Sequence, residues 1–265
     1  MSVLTFRGGT HPYDGKILSR DAAIEEIKPG EELVFPLSQH IGAPAVPIVE
    51  IGERVLAGQK IAAKSGFISA NIHSSVSGTV IKIEPRTIAT GGKVNSIVIR
   101  NDNLYEQAPP INDKNPDDMT DDEIRTVIEE AGIVGMGGAG FPTNVKLTPK
   151  NPEAIDTIIV NGAECEPYLT SDYRRMLEYT DELVKGLKIV LRLFPGARGV
   201  FGVEDNKPEA IKALKKATSG ENNIEVAVLK TKYPQGGERC MIKAVTGREI
   251  NSKMLPADAG CIVHN

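Results

Sequence analysis

The sequence predicts a small all-β module followed by an α/β domain with a parallel sheet, and three observations lead to this fold class. The chain has 265 residues, enough for about two domains of ordinary size. Short β-like runs separated by Gly and Pro fill residues 31–100. Beyond residue 119, strand-like and helix-like segments alternate, a pattern typical of parallel strands joined by helical crossovers.

Composition narrows the possible functions. Lys and Arg number 31 and Asp and Glu 35, a net charge of −4, so no basic face for nucleic acid is expected. No apolar run approaches the ~18 residues that span a bilayer, and the N-terminus lacks the apolar core of a signal peptide, so we expect no membrane insertion. The three cysteines are far apart and form no CxxC pair, which predicts reduced thiols and no metal site.

The all-β module is assigned to residues 31–105, after an irregular N-terminal extension over residues 1–30. Branched residues alternate with turn glycines, as in Val49, Gly52 and Val55, and a later S-G-T-V run supplies a matching hairpin. This half resembles the barrel-sandwich hybrid fold of biotinyl and lipoyl carrier domains. The matching hairpin tip, residues 73–76, has no lysine to hold a cofactor, so a packing or docking role is favoured over a carrier role.

The α/β domain is assigned to residues 119–265, after a linker at residues 106–118 with three prolines and few apolar residues. It opens with a helix in which Thr120 and Glu123 form a capping box and which ends at Gly132. The chain stops in CIVHN, an apolar strand-like stretch, so we expect a truncation there; a short terminal strand is the alternative.

The remaining elements predict a Rossmann-like sheet. After a loop at residues 132–147 we predict strands at 154–162, 197–205 and 223–231, a long helix at 171–194, a second helix at 207–218 and a short helix at 236–247. In open sheets of this kind, ligands bind beyond the carboxyl ends of the strands. The residues that follow each strand are therefore candidates for a binding site.

A glycine-rich loop precedes the first predicted strand of this domain. Its glycine pattern G-x-G-x-x-G consists of Gly135, Gly137, Gly138, Ala139 and Gly140, with Met136 between the first two glycines. A helix precedes the loop and Phe141-Pro142 follow it, so the usual dinucleotide-binding context of a strand before and a helix after is lost, although a helix with Pro142 in its first turn stays open. Bare backbone still lets a flat or phosphorylated ligand approach its N–H groups, and Lys146 could meet a phosphate. A flexible surface loop is the alternative.

Polar residues follow three of the predicted strands at their carboxyl ends. Asn161, Glu164, Cys165 and Glu166 follow the first strand, Gly237 and Glu238 the third, and His264 and Asn265 the last. An amide can pair with a heterocycle, and carboxylates can bind ribityl or ribose hydroxyls, so these loops predict one ligand site. The thiol is expected to be packed rather than nucleophilic, and a solvated turn is the alternative for the two glutamates. No catalytic acid or base is predicted.

Four segments, GMGGAGFPTNVKL, NGAECEPY, YPQGGE and CIVHN, together resemble one family closely. This is the family of C subunits of the Rnf electron transport complex, the ion-translocating ferredoxin:NAD oxidoreductase. The opening FRGGTHPYDGK and the barrel-sandwich half match the same family, so the likeness covers essentially the whole chain. The α/β half is also similar to the flavoprotein subunit of respiratory complex I.

The resemblance implies a site for FMN and NAD(H), with hydride transfer between them and no protein acid or base. The loop from Gly135 to Gly140 and Lys146 would face the nucleotide and the flavin phosphate, and Phe141 would stack on a ring. The flavin pocket implied by the family consists of Asn161, Glu164, Cys165, Gly237, Glu238, His264 and Asn265.

The resemblance also implies a peripheral subunit on the cytoplasmic face of the bacterial inner membrane. Its partners would be other subunits of the complex, with ferredoxin reached indirectly. Family members continue into a cysteine-rich segment with two 4Fe-4S clusters, for which this chain has no ligands, so electrons would pass to clusters that it does not encode. The alternative is a non-catalytic docking or carrier module that binds partner subunits through its barrel half. The transported ion, Na⁺ or H⁺, stays open.

Overall fold

The computed structural model describes residues 3–265, which form two compact units. The barrel unit comprises Glu26–Thr148, and the α/β unit comprises Pro149–Asn265 together with the N-terminal segment that ends at Glu25. The glycine loop and the helix before it therefore belong to the barrel unit, whereas the sequence assigns them to the α/β domain. Local sequence patterns identify the helix and the glycine loop, but they do not show which distant elements these two pack against.

The barrel unit is built from antiparallel strands in two sheets. Its strands are β1 (Glu32–Pro36), β2 (Val46–Pro47), β3 (Arg54–Val55), β4 (Lys60–Ala63), β5 (Ile72–His73), β6 (Gly78–Thr87) and β7 (Lys93–Asn101). One sheet has the order β1-β7-β6-β3 and the other has the order β2-β4-β5. Gly and Pro interrupt most apolar runs, so most strands are short and the β6–β7 hairpin is the longest pairing. The predicted all-β module is confirmed.

An apolar core fills the space between the two sheets. Val55, Ile61, Val76, Ile97 and Ile99 are completely buried in it. Successive side chains of a strand point to opposite faces, so alternate residues reach this core while their neighbours face outward. Each buried branched side chain contributes about 1.5–3 kcal/mol, which makes this core the main source of stability for the unit.

Helix α1 (Asp121–Glu130) begins with the predicted capping box. The Thr120 hydroxyl oxygen accepts a hydrogen bond from the Glu123 backbone N–H at 3.2 Å, and the Glu123 carboxylate accepts one from the Thr120 N–H at 2.7 Å. These two bonds satisfy N–H groups that have no partner inside the helix. The following loop also contains a short helix, α2 (Thr143–Lys146), which begins directly after Pro142, where the sequence predicts a loop and leaves a helix open.

The other end of α1 is held by the barrel. The Asn71 side-chain amide donates to the carbonyl oxygens of Glu129 at 3.2 Å and Glu130 at 3.4 Å. Gly132 follows with a φ of 64°, and a Cβ atom there would lie 2.2 Å from the Asn71 carbonyl oxygen. Glycine is therefore required where the helix end meets the barrel.

The sheet of the α/β unit is parallel, as predicted. Its strands are β8 (Thr157–Gly162), β9 (Arg198–Glu204), β10 (Ile224–Leu229) and β11 (Cys261–His264). They lie in the order β10-β9-β8-β11, and each neighbouring pair is parallel. The chain builds outward from β8 to β10 and then returns to the opposite side of β8. The strand order therefore reverses between β8 and β11.

Helices connect the strands of this sheet. They are α3 (Ser171–Glu178), α4 (Thr180–Arg192), α5 (Pro208–Ala217) and α6 (Glu238–Thr246). Within residues 3–265, no helix combines the length and the apolar character needed to cross a bilayer.

The single long helix predicted at residues 171–194 is wrong, because α3 and α4 are separate. Tyr179 separates them with a φ of −128° and a ψ of 36°, which is not a helical conformation. At this break the Thr180 hydroxyl donates to the Met176 carbonyl at 2.6 Å, a local bond of the kind that competes with helix continuation. The apolar periodicity runs through both helices and conceals the break.

The N-terminal segment extends the edge of the same sheet. The Leu4 backbone N–H donates to the Val228 carbonyl at 2.8 Å, and the Lys230 N–H donates to the Leu4 carbonyl at 2.9 Å. Further along, Thr10 and Tyr233 exchange two backbone hydrogen bonds of 2.8 Å. The segment that looks irregular in sequence is thus part of the α/β unit.

Candidate functional site

The reversal of strand order defines the candidate site of the α/β unit. In open parallel sheets, ligands bind outside the carboxyl ends of the strands at the point of reversal. Here that point lies between the ends of β8 and β11, at Gly162 and His264. Residues 161–170, which comprise the last two residues of β8 and the loop after it, are called the acidic turn below.

Hydrogen bonds of two side-chain amides bring three strand-end loops together at this point. The Asn161 side-chain amide donates to the Gly236 carbonyl at 2.8 Å, and its oxygen accepts from the Ala163 N–H at 3.2 Å. The Asn265 amide donates to the Asn161 carbonyl at 3.0 Å and to the Asp172 carboxylate at 2.8 Å. Asn161 thus ties the loops to one another, and its own amide is occupied by protein partners.

Cys165 is a packed thiol in this cluster. It is 8% exposed, and its sulfur accepts a hydrogen bond from the Gly236 N–H at 3.2 Å. Burial raises the pKa of the Cys165 thiol, so the neutral thiol is favoured over the nucleophilic thiolate. A Cβ atom on Gly236 would lie 3.3 Å from this sulfur, so the two loops fit closely only with glycine at that position.

Glu164 is the titratable group at the centre of the acidic turn. Its φ is 50°, and one carboxylate oxygen, Oε1, accepts a hydrogen bond from the Asp172 N–H at 2.7 Å. Its Oε2 lies 3.8 Å from the ammonium nitrogen of Lys16, and both side chains are almost fully buried. Burial raises the pKa of Glu164 to about 7, against the opposing effect of the nearby lysines. The carboxyl can therefore change its charge near neutral pH.

A second buried ion pair lies beneath the turn. The ammonium group of Lys207 donates to the Ala163 carbonyl at 2.6 Å and to Asn206 Oδ1 at 3.0 Å, and it lies 3.3 Å from the Glu204 carboxylate. The Lys207 side chain is 2% exposed and that of Glu204 is 0% exposed. Burial raises the pKa of Glu204 and lowers the pKa of Lys207. Because three acceptors surround the ammonium group, this lysine fixes the start of the acidic turn.

Two buried polar groups at this edge fit a ligand that both donates and accepts hydrogen bonds. Gln235 is completely buried, and its amide nitrogen and oxygen have no hydrogen-bond partner within residues 3–265. Within the same residues, Glu164 Oε2 accepts no hydrogen bond. Buried polar atoms are normally paired with protein, water or ligand. The ring carbonyls and N–H of FMN are groups that fit this donor and acceptor set.

The remaining strand-end residues lie nearer the surface. Glu166 and Glu238 are exposed, Gly237 and His264 are partly exposed, and Asn265 is exposed. Glu238 is the first residue of α6, directly after the pair of glycines that ends the β10 loop. These residues form the accessible rim of this sheet edge.

The glycine loop has a defined geometry within the barrel unit. Its two ends are joined, because the Gly135 N–H donates to the Phe141 carbonyl at 3.0 Å and the Thr143 N–H donates to the Ile133 carbonyl at 2.9 Å. Gly137, Gly138 and Ala139 are exposed at the tip, whereas Gly140 is buried. The tip therefore presents bare backbone to solvent while the base is fixed.

The barrel segment Ser38–Ile41 packs against the base of this loop. The Ile41 N–H donates to the Ala139 carbonyl at 3.0 Å, and both ring nitrogens of His40 are engaged, with the Ile41 carbonyl and the Ala70 N–H, at 3.1 Å each. An open groove of about 560 Å³ lies between this segment and the glycine loop. Such a volume is in the range of small-molecule sites.

Phe141 and Lys146 come together at the other end of the loop. The Lys146 ammonium nitrogen lies 5.9 Å from the centre of the Phe141 ring, within the range of a cation–π contact. The structure thus brings together the predicted residues of the barrel unit, from Gly135 to Lys146, and separately those of the α/β unit.

Sequence reasoning missed Lys16, Glu204, Lys207 and Gln235. A signal existed for Glu204 and Lys207, because they belong to a charged run at the carboxyl end of β9, at the same edge as the predicted loops. Lys16 gave no local signal, since its hydrogen-bond acceptors lie 150 and 153 residues further along the chain.

Comparison with known proteins agrees with both units. A family profile described as the Nuo51 FMN-binding domain matches residues 128–265, and one described as the RnfC barrel sandwich hybrid domain matches residues 4–104. The C subunit of the Na(+)-translocating ferredoxin:NAD(+) oxidoreductase complex of Acetobacterium woodii is 45% identical over 262 residues, which cover 98% of this chain and 59% of the relative. The proton-translocating counterpart of Clostridium ljungdahlii is also 45% identical over 262 residues, covering 98% and 57%. The chain thus spans about three fifths of the length of these relatives.

Among solved structures, a chain of an NAD+-reducing NiFe hydrogenase in the air-oxidized state is similar with a TM-score of 0.48 and 24% identity. The match covers 55% of this chain and 28% of that chain. Fold and site define a two-unit protein with an antiparallel barrel sandwich and a parallel α/β unit, and the family profile over residues 128–265 classes the α/β unit with the Nuo51 FMN-binding domain. With the profile matches and the relatives, the chain belongs to the family of Rnf complex C subunits, as its sequence motifs indicate.

Proposed function

We propose that this chain is the FMN- and NAD(H)-binding part of a peripheral subunit in a membrane-bound, ion-translocating electron transport complex. The observation that carries the proposal is the convergence of polar strand-end loops at the reversal between β8 and β11. The match of the Nuo51 FMN-binding domain over the same residues supports FMN as the ligand. FMN supplies hydride acceptance and one-electron release when it is bound.

The residues of this chain would bind and orient the two nucleotides. In the α/β unit, the acidic turn and the loops that end in Gly237, Glu238, His264 and Asn265 would hold the flavin. In the barrel unit, the exposed backbone of the glycine loop and Lys146 would meet phosphate groups, with Phe141 against a ring. No side chain is assigned as a proton donor or acceptor in the reaction.

Electrons would leave this part of the subunit for iron–sulfur clusters that the chain does not encode, with ferredoxin reached through other subunits. The names of the two relatives support a place in such a complex, and the cytoplasmic face of the cell membrane is the location consistent with NAD(H) as substrate. One relative is named for Na⁺ and the other for protons at equal identity.

Titration of the intact chain with FMN tests the proposal. We expect quenching of FMN fluorescence on binding and bleaching of the bound flavin by NADH. Gly138→Asp should weaken nucleotide binding about tenfold or more by repelling phosphate, since its side chain enters open space at the loop tip.

Gly220→Asp is the matched control, because Gly220 is exposed and also has nothing within 4 Å of an added Cβ atom. A wild-type chain that binds neither FMN nor NADH would contradict the proposal. Equal affinity in both variants would remove the glycine loop from the site.

A docking role for the barrel unit is a second candidate, because this unit exposes several large apolar side chains. Val46, Ile48 and Ile51 are 53%, 51% and 64% exposed and follow one another along the chain. Carrier function is disfavoured further, since Ser74 and Val76 at the hairpin tip are buried. The test is whether each variant still captures membrane subunits of the complex. Capture by Gly138→Asp together with loss of capture in Ile48→Asp would support docking. Capture that neither change affects would contradict it.

A further inference from the structure

The N-terminal segment reaches the acidic turn through one buried lysine. The Lys16 ammonium group donates to the carbonyl of Glu166 at 3.1 Å and to that of Leu169 at 2.5 Å. It also lies 3.8 Å from Glu164 Oε2, and its side chain is 8% exposed. All three contacts of this ammonium group are made with the same turn, and two of its three N–H donors form hydrogen bonds there.

The backbone beside Lys16 is shaped to the same turn. The Tyr168 N–H donates to the Asp14 carbonyl at 2.6 Å. A Cβ atom on Gly15 would lie 2.3 Å from the Tyr168 ring, and Gly15 has a φ of 60°. Tyr168 itself has a φ of 68°, a conformation that non-glycine residues rarely adopt without support. The HPYDGK motif and the acidic turn therefore fit each other closely.

Two lysines hold the turn at its two ends, and they differ in their charge partners. Lys207 binds the Ala163 carbonyl at the start of the turn and has Glu204 as its carboxylate. Lys16 binds the Glu166 and Leu169 carbonyls further along, and Glu164 is its ion-pair partner among the described residues. The charge of Glu164 thus depends more directly on Lys16.

We propose that Lys16 is a positioning residue of the candidate FMN site, which it serves by fixing the backbone of the acidic turn and stabilising the Glu164 carboxylate. That the ligand is FMN rests on the proposed function. The effect of Lys16 on the acidic turn does not rest on it. The charged groups that face Glu164 are Lys16 from the N-terminal segment, Lys207 after β9 and Asp172 in α3. Without Lys16 this set loses one of its two cations. The protonated form of Glu164 is then favoured more strongly over the charged form.

A carboxyl titration measures this action in the absence of ligand. The ¹³C signal of the Glu164 carboxyl, assigned with Glu164→Gln, should titrate with a midpoint near 7 in the wild-type chain. In Lys16→Met the midpoint should rise by about one pH unit, the effect of removing an opposite charge within about 4 Å. Lys16→Arg, which keeps the charge and can donate to both carbonyls, should restore it. Lys185→Met removes an exposed lysine of α4 in the same unit and should leave it unchanged.

Titrations of the same variants with FMN test whether the position of the acidic turn affects FMN binding. We expect Lys16→Met to bind FMN about tenfold more weakly, a loss typical of removing a group that orients direct ligands, and Lys16→Arg to recover most of the affinity. An unchanged Glu164 midpoint or an unchanged FMN affinity in folded Lys16→Met overturns the inference. A wild-type chain that shows the Glu164 titration but does not bind FMN refutes the proposed function instead. If Lys16→Met does not fold, Lys16→Gln replaces it, because its side-chain amide keeps N–H donors and removes the charge.

Discussion

At the scale of single residues, Gly140 shows how the glycine loop is fixed at its base. Its φ is 65°, and an added Cβ atom would lie 2.9 Å from the Gln39 carbonyl oxygen. Gly138, two residues earlier, has open space around it and no positive φ. The two glycines of one motif therefore serve different purposes, close packing at the base and exposed backbone at the tip.

We expect Gly140→Ala to lower the free energy of unfolding by about 2 kcal/mol, through backbone strain and the clash with Gln39. Gly138→Ala should change it by less than about 0.5 kcal/mol. Urea unfolding of both variants measures the difference. Equal stability of the two variants would show that the loop base is not fixed by this contact.

Glu164 makes the stability of the α/β unit depend on pH. Its folded-state pKa of about 7 lies above the ordinary value of 4.5, so between these values the folded chain keeps a proton that the unfolded chain releases. This contribution to stability is present below the ordinary value and is lost as pH rises through the folded-state pKa.

Glu164→Gln removes this dependence. As pH rises from about 4.5 to about 8, the free energy of unfolding of the variant should increase relative to that of wild type, by on the order of 3 kcal/mol in total. Urea unfolding at the two ends of this range measures it, with Glu238→Gln, at an exposed position, as the control. Parallel curves for wild type and Glu164→Gln would contradict the elevated pKa.

At the scale of elements, α1 connects a local signal to the placement of the glycine loop. Its start is fixed by its own capping box, and its end is fixed by Asn71 of the barrel. The loop that follows therefore begins at a defined point.

Thr120→Ala should reduce the free energy of unfolding by about 1 kcal/mol, because the Glu123 N–H loses the hydroxyl oxygen that caps it. Thr126→Ala, at an exposed position within the same helix, should have an effect below about 0.5 kcal/mol. Thermal and urea unfolding of the pair give the comparison. A similar loss in both variants would point to a general effect of removing threonine and not to the cap.

At the scale of the whole molecule, the α/β unit is discontinuous in sequence, since it includes the segment before the barrel unit. Leu4 and Thr10 add backbone hydrogen bonds along β10 and the loop after it. This loop continues into Gln235 and Gly236 at the candidate site, so the first residues of the chain support its last strands.

Deletion of residues 1–10 should expose the backbone that they cover. We expect hydrogen exchange at the Lys230 and Tyr233 amides to accelerate at least about tenfold, since each donates to the deleted segment. The amides of the β6–β7 hairpin, in the other unit, are the internal reference. Unchanged protection at Tyr233 would contradict a structural role for the segment.

The sequence by itself determined the elements whose signals are local. The capping box of α1, Pro208 at the start of α5 and the alternation of strands with helices all follow from residues within one or two turns of each other. The family resemblance rests on such short motifs as well. The break between α3 and α4 escaped this reasoning, because a single residue interrupts an otherwise continuous apolar stripe.

Only the tertiary structure decided which distant residues meet. It placed β11 beside β8, where the strand order reverses, and it seated the glycine loop on the barrel segment Ser38–Ile41. It also brought Lys16 to a turn about 150 residues away. Strand order and long-range contacts depend on the packing of whole faces and on the burial of charge, which no short stretch of sequence encodes.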